Sequence, residues 1–271
     1  MEGKKATDCT GDADAFCEDK QMNAKRGRMV FVTGTGTGVG KTVLTALLLA
    51  HLRSEGKNAL AVKPFCSGGR GDAEALWRLE KECLTLEEVN PFYFDKPVAP
   101  LAAARGGGLP SLKEVVKHVK RIAARCDILL IEGSGGLLVP LGEDYTVADL
   151  IGALGCAVIV ASRNELGTIN HTLLTLLGLE GMGIGRATVV MMDVERPDES
   201  AAANLGVLVK MAPKSAFVRA LFLGRKPLGR NRFKKSVTFL KKTLARILEL
   251  AIVTPSFERA VLKRAVDEDK G

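Results

Sequence analysis

"TGTGTGVGKT" (residues 33–42) separates the apolar run 29–32 from the Leu-rich stretch 43–52. A glycine-rich turn between a strand and a helix, closing on Lys-Thr, aims backbone N–H groups and the positive end of a helix at an anion, which is how chains hold nucleotide phosphates. Gly34 and Gly40 enclose five residues where the strict pattern has four, so the loop is a variant. Its chemistry is intact. Gly36, Gly38 and Gly40 permit close backbone approach, and N–H groups from Thr37 to Thr42 can point at phosphate oxygens. The nucleotide-binding set from this stretch is Gly38, Val39, Gly40, Lys41, Thr42 and Val43. Lys41 would neutralise the β and γ phosphates, and the Thr42 hydroxyl would bind Mg²⁺.

Outward from the loop, apolar runs predict strands at residues 29–33, 58–62, 127–131, 156–162 and 187–192. Helical patterns fall between them at 41–54, 72–81, 111–125, 146–154 and 169–179. Such alternation predicts an α/β fold, a doubly wound and mainly parallel sheet with helices on both faces, like that of P-loop NTPases. Ligands of such sheets sit at the carboxyl ends of strands. "KPFCSGG" (63–69) and "EGSGG" (132–136) follow the second and third strands, just as the phosphate loop follows the first.

Those strand ends carry the other candidate groups. Asp72 and Glu132 are placed to complete a magnesium site with Thr42, because Mg²⁺ takes oxygen ligands and needs only one or two carboxylates beside phosphate and water. Asp72 has a plainer reading as the cap of the helix it begins. Lys63 can stabilise charge that builds up in phosphoryl transfer, or be an exposed strand-end lysine.

The 271 residues suffice for one large α/β domain, and no apolar run reaches the ~18 residues of a membrane span. Residues 1–28 mix charges, lack an apolar stretch and read as a disordered tail rather than a signal peptide. The main domain is read as 29–213, and 214–271 as a basic C-terminal segment, helical and packed on the domain or extending it. Six cysteines without zinc-type spacing suggest reduced thiols and a cytoplasmic protein. Residues 210–271, with 16 basic and five acidic side chains, carry an excess of +11, which the −3 of residues 29–209 brings to the net +8. A basic tail is a poor guide to what the main domain binds, and no nucleic-acid or membrane partner is expected.

Taken in order, "TGTGTGVGKT", "KPFCSGG" followed by Asp72-Ala73, "VNPFYF" with the turn at 97–100, "LLIEGSGGLLVPL" and "LGTINHTLLT" resemble dethiobiotin synthetases from residue 29 to about residue 193. The resemblance implies a ligase of biotin biosynthesis. It would carboxylate 7,8-diaminononanoate with CO₂ and close the ring with ATP and Mg²⁺, through a carbamate and a carbamic-phosphoric anhydride. It further implies Lys41, Lys63 and Thr37 as catalytic groups, with Glu132, Gly133, Ser134, Gly135 and Asp193 at the nucleotide. Ser67 would contact the diamine or carbamate. Gly167, Thr168, Ile169 and Asn170 would hold the distant carboxylate across a homodimer, at a helix N-terminus suited to an anion.

Two positions depart from the family pattern. Gly36 stands where relatives carry Asp, and Met192 in "VVMMDV" stands where Asn usually recognises adenine beside Asp193. Met can stack on a base but cannot form an amide's paired hydrogen bonds, so relaxed base selectivity is expected. The family's proline-containing base-holding segment has no evident counterpart. "GRKPLGRNRFKKS" stands instead, before a helix with Phe233, Val237, Leu240, Leu244, Ile247 and Ala251 on one face. Two alternatives are a switch ATPase of the partition or septum-placement kind, which usually has an extra lysine where this chain has Thr35-Gly36-Thr37, and a non-catalytic nucleotide-binding relative.

Overall fold

The computed structural model describes residues 27–104, 108–220 and 230–253. The expected N-terminal tail therefore lies almost wholly outside the described residues, as do part of the segment at 224–236 and the last 18 residues.

The elements run β1 (Arg28–Gly34), α1 (Lys41–Ser54), β2 (Ala59–Val62), β3 (Phe65–Ser67), α2 (Gly71–Glu80), α3 (Leu86–Val89), β4 (Phe92–Phe94), α4 (Pro100–Ala103), α5 (Leu112–Ala123) and β5 (Ile128–Glu132). They continue with α6 (Val147–Leu154), β6 (Ala157–Arg163), α7 (Thr168–Gly181), β7 (Thr188–Met192), α8 (Asn204–Met211), β8 (Ala216–Ala220), α9 (Arg230–Phe239) and α10 (Lys241–Val253). Six strands form one parallel sheet in the order β2-β5-β1-β6-β7-β8, and β3 pairs with β4 in a second, two-stranded parallel sheet. The order reverses at β1, whose neighbours are β5 and β6, so the crevice such sheets use for ligands opens beyond Gly34.

Strands buried on both faces need solid apolar sequence, and β1, β2 and β5 supply it. Helix α1 is apolar nearly all round because it is covered nearly all round: it packs on β1, β2 and β5 beneath α2, α9 and α10. Helix α5 has one covered side, so Val115, Val119 and Ile122 are buried while Lys113, Lys117 and Lys120 face water or the rim. Its start is fixed by a capping box between Ser111 and Glu114, and α6 begins the same way with Thr146 and Asp149.

The sheet does not stop at β7. Ala216–Ala220 adds β8 in register with β7, where the sequence showed no strand pattern. The apolar face read beyond it is divided between α9 and α10 by a one-residue turn at Leu240, which backbone bonds from Leu240 N–H to Ser236 and from Leu244 N–H to Leu240 bridge. Val237, Leu240, Leu244, Ile247 and Ala251 are buried in the main core, and Phe233 packs partly against it.

Candidate active site

The phosphate loop is held open for an anion from below. Gly40 caps α1 with φ of +99°, a left-handed conformation that L side chains rarely adopt, and this turns the first N–H groups of α1 toward the crevice. The Lys41 ammonium lies over its own loop and donates to Gly36 O at 2.7 Å. Lys41 is buried, and burial followed by the nearby Lys63 ammonium pulls its pKa down to about 8, against the carboxylates of Glu132 and Asp72.

Three strand ends meet beside it. Glu132, last residue of β5, is buried; its Oε1 accepts from Thr42 Oγ1 at 2.7 Å and from Lys63 Nζ at 2.5 Å. Lys63 follows β2 and also lies 3.2 Å from Asp72 Oδ2. Burial works against the Lys63 charge, but Glu132 and Asp72 outweigh it and hold its pKa above the usual lysine range. Asp72 is not the cap of α2. Arg70 occupies that position, and Asp72 sits in the first turn with its carboxylate toward Lys63 and largely in solvent. Lys63 is correspondingly no surface lysine, since it is only 5% exposed.

The residues present fit a magnesium ion by one observation: Glu132 Oε2 is buried and has no hydrogen-bond partner, an arrangement that costs about 1–3 kcal/mol or more for a charged group left so. A cation between Thr42, Asp72 and Glu132 would satisfy it. No three His, Cys, Asp or Glu side chains cluster for a metal among the described residues, so the protein offers two carboxylates and a hydroxyl, the small ligand set that Mg²⁺ uses with phosphates.

The loop after β5 closes the other wall. Gly135 has φ of +66°, and a Cβ there would lie 3.7 Å from Thr37 Oγ1, so Thr37 faces the "GSGG" turn across the crevice. Gly133 packs against Phe31, and Ser134 Oγ donates to Phe65 O at 2.6 Å, tying this loop to β3. Ser67, at the end of β3, has a buried hydroxyl without a partner.

The remaining sequence candidates lie on the other flank, beyond β6 and β7. Asp193 Oδ1 accepts from Asn164 Nδ2 at 2.8 Å, and Arg219 Nε reaches both carboxylate oxygens at 2.9 Å. Met192 packs against Gly40, with its Cε 3.3 Å from where a Cβ would stand. At the start of α7, Thr168 is turned inward: its hydroxyl bonds Ser162 at 2.7 Å and its N–H donates to Glu165 O. Gly167 offers no side-chain cap, which leaves the first-turn N–H groups of Ile169 and Asn170 uncapped by any side chain. These residues do not join the Lys63 cluster. Sequence reading missed Asn90, Arg70, Asn164 and Arg219, which brace the site; the one available signal was Asn90 inside the quoted "VNPFYF".

Comparison with known proteins concerns the family and the fold. The model of the AAA domain family matches residues 28–225. The ATP-dependent dethiobiotin synthetase BioD of Anaeromyxobacter sp. (strain Fw109-5) is 39% identical over 215 residues, 77% of this chain and 96% of that protein. The enzyme of the same name from Anaeromyxobacter sp. (strain K) is 46% identical over 170 residues, 60% of this chain and 76% of its own length. That of Bacillus subtilis (strain 168) is 39% identical over 184 residues, 65% and 80% respectively. Among solved structures, the MinC:MinD cell division protein complex of Aquifex aeolicus gives a TM-score of 0.53 at 15% identity, over 86% of this chain and 100% of that one. MinD of the same organism gives 0.52 at 14%, over 83% and 99%, and at such identity the likeness concerns the fold alone. A relative matched over nearly its whole length at 39% identity, together with a phosphate loop whose lysine, threonine and carboxylate partners converge, places this chain in the dethiobiotin synthetase family.

Proposed function

We infer that the protein is an ATP-dependent dethiobiotin synthetase, a ligase of biotin biosynthesis. One amine of 7,8-diaminononanoate adds to CO₂ as a carbamate, the γ-phosphoryl group of ATP passes to a carbamate oxygen, and the second amine displaces phosphate to close the ureido ring. The products are dethiobiotin, ADP and phosphate.

The observation that carries this reading is the contact of Lys63 with Glu132, and of Glu132 with Thr42, beside the Lys41 loop. Phosphorylating a carbamate brings one anion onto another, so the site must supply fixed positive charge where the two meet. Lys41 would lie on the β and γ phosphates, and Lys63 at the transferring group and carbamate. Lys63 suits that position because its neighbours keep it protonated, as an electrostatic clamp and not a base. Thr42, Asp72 and Glu132 would hold Mg²⁺, which when bound supplies charge neutralisation at the phosphates. Thr37 would donate to a transferring oxygen, and the unpartnered Ser67 hydroxyl would contact the diamine or carbamate.

A homodimer supports the far end of the substrate in this reading, with the first turn of α7 of one subunit offering Gly167, Thr168, Ile169 and Asn170 to the carboxylate held by the other. Exposed apolar side chains on that side, Leu166, Leu174 and Leu177, favour it: they lie on α7 and just before it, and large apolar groups left in water together suit a protein interface. Cys66, Cys126 and Cys156 are buried free thiols, consistent with a cytoplasmic enzyme, and no described helix is long and apolar enough to cross a membrane.

The test is phosphate release with ATP and Mg²⁺. Release that requires both the diamine and bicarbonate, with restored growth of a strain unable to make dethiobiotin, is expected. Diamine-independent hydrolysis stimulated by DNA or lipid would instead mark a switch ATPase.

A further inference from the structure

Nothing in the mechanism explains Asn90, an amide with 1% exposure that lies outside the phosphate loop and its carboxylates. It follows α3, whose short length is fixed by a capping box between Thr85 and Glu88, and its own N–H is held by Leu86 O at 2.8 Å. Every polar atom of its side chain is engaged. Nδ2 donates to Lys63 O at 2.9 Å and Pro64 O at 3.2 Å, and lies 3.4 Å from Phe92 O; Oδ1 accepts from Arg70 Nε at 3.1 Å.

The residue before it grips the same target, since Lys63 N–H donates to Val89 O at 2.9 Å. Both backbone groups of Lys63 are therefore fixed by the pair Val89-Asn90, at the point where the chain leaves the main sheet and turns into β3. From the other side Arg70 closes the clamp. Its Nη2 donates to Asn90 O at 2.8 Å, its guanidinium lies over the Tyr93 ring at 5.5 Å, and it is two residues from Asp72. Gly68 seals the intervening loop against Pro97: with φ of +76°, a Cβ would stand 2.4 Å from the proline's own Cβ.

We propose that Asn90 is a positioning residue for phosphoryl transfer, holding the Lys63 backbone directly and the Asp72 turn through Arg70, so that ammonium and carboxylate keep one spacing at Glu132. This rests on the catalytic role of Lys63 given above. A bond to the backbone of a lysine matters because the side chain is otherwise a flexible four-carbon stem, and a displacement of about 1 Å at such a site can cost about 10²-fold in rate. The phosphate loop is built by other elements, so the clamp should govern turnover and leave the loop's own hold on a nucleotide without magnesium alone.

Two variants test this in the full-length protein. Asn90→Asp keeps the shape and the Arg70 contact but sets an acceptor against two carbonyl oxygens; Arg70→Gln opens the clamp from its half-exposed side. Expected are kcat losses of about 10²-fold and about tenfold, with the dissociation constant of ADP, titrated without magnesium, within about threefold of the parent. Measurements are made well below each melting temperature, so a fold-only role would lower that temperature and leave kcat of the folded protein unchanged, which overturns the proposal. If Asn90→Asp does not fold, Arg70→Gln decides: kcat within twofold of the parent refutes the clamp. Failure of the underlying reading looks different. A Lys63→Met protein with parental diamine-dependent phosphate release would remove the function assigned to Lys63, and the clamp with it, whereas an inactive Lys63→Met beside a fully active Asn90→Asp would remove the clamp alone.

Discussion

The two flanks of the sheet's carboxyl edge are built on opposite plans. On the side of β1, β5 and β2, polar groups converge with capacity left over: Glu132 Oε2 and Ser67 Oγ are buried without partners, and the Lys41 ammonium makes one bond, to Gly36 O of its own loop. On the side of β6, β7 and β8, polar groups satisfy one another. Asp193 accepts from Asn164 and Arg219, and Asn164 in turn accepts from Asn204 Nδ2 at 3.1 Å and donates to Ala201 O. Unpaired buried polar atoms are costly and so mark where a ligand is expected, while a saturated network has little to offer one. The first flank keeps buried polar groups available for the phosphates and cation of the proposed reaction; the second is closed around Asp193 and leaves only the backbone N–H groups at the start of α7 uncapped by a side chain.

The largest test of this contrast removes charge from the open flank. Lys63→Met should lower kcat by about 10²- to 10³-fold, the effect of losing one preorganised donor to transition-state charge. ADP affinity should change little, because the loop and Lys41 remain. Steady-state phosphate release and ADP titration check both, and a variant within tenfold of the parent would break the assignment.

The saturated flank gives a smaller but more discriminating outcome. Met192, which ends β7, packs against Gly40, and Asp193 just beyond it accepts from Asn164 and Arg219, so β7 offers no amide side chain to a base placed there. Sites built to hydrogen-bond a ligand discriminate strongly, and sites without such groups do not. ATP, GTP, CTP and UTP are expected to give kcat/KM values within about tenfold of one another. A hundredfold preference for ATP would show that other groups read the base.

Lys41 links the flanks to pH. Its pKa of about 8 in the free protein means that the ammonium a triphosphate requires is lost as pH rises through 8, so nucleotide binding must then take up a proton. The dissociation constant of ADP should rise toward about tenfold per pH unit above 8, the limit for one linked proton, and calorimetry in buffers of different ionisation enthalpy should show proton uptake. A flat profile from pH 7 to 9.5 would mean that burial does not depress this lysine.

Much of the open flank was legible because its signals are local. Helix α1 was read to its end residues, since Gly-Lys-Thr fixes the start and a run of leucines the body. Lys63, Asp72 and Glu132 stood out as charges just beyond apolar strands. The other flank hid itself. Strand β8 is short and mostly half-buried, without the solid apolar run of a central strand, and α8 leaves Val207, Val209 and Met211 exposed, so neither shows a clean period. Arg70, and Asn90 beyond its place in "VNPFYF", went unread for a further reason: their roles are hydrogen bonds between segments some 20 residues apart, and no spacing along the chain encodes that.

The smallest expected effect lies at the edge of the open flank and concerns stability alone. Edge strand β2 presents Ala61 N–H to a buried carboxylate, Glu80 Oε2, at 2.9 Å, while Glu80 Oε1 has no partner. Burial pushes the Glu80 pKa up to about 8, with the Ala61 N–H and Arg53 pulling it back. The folded protein thus binds a proton here that the unfolded chain releases near pH 4.3, so this group's contribution is full below about pH 4.3 and is lost as pH rises toward 8. Glu80→Gln keeps the acceptor for Ala61 and abolishes the proton, and should stabilise the protein by about 1–3 kcal/mol at pH 7.5, raising the melting temperature by several degrees with no change in kcat. The gain should shrink toward zero by pH 4.5. Melting curves for parent and variant that stay parallel from pH 5 to 8 would show that Glu80 is ionised in the folded state, and that the edge of this flank, like its centre, tolerates a buried negative charge.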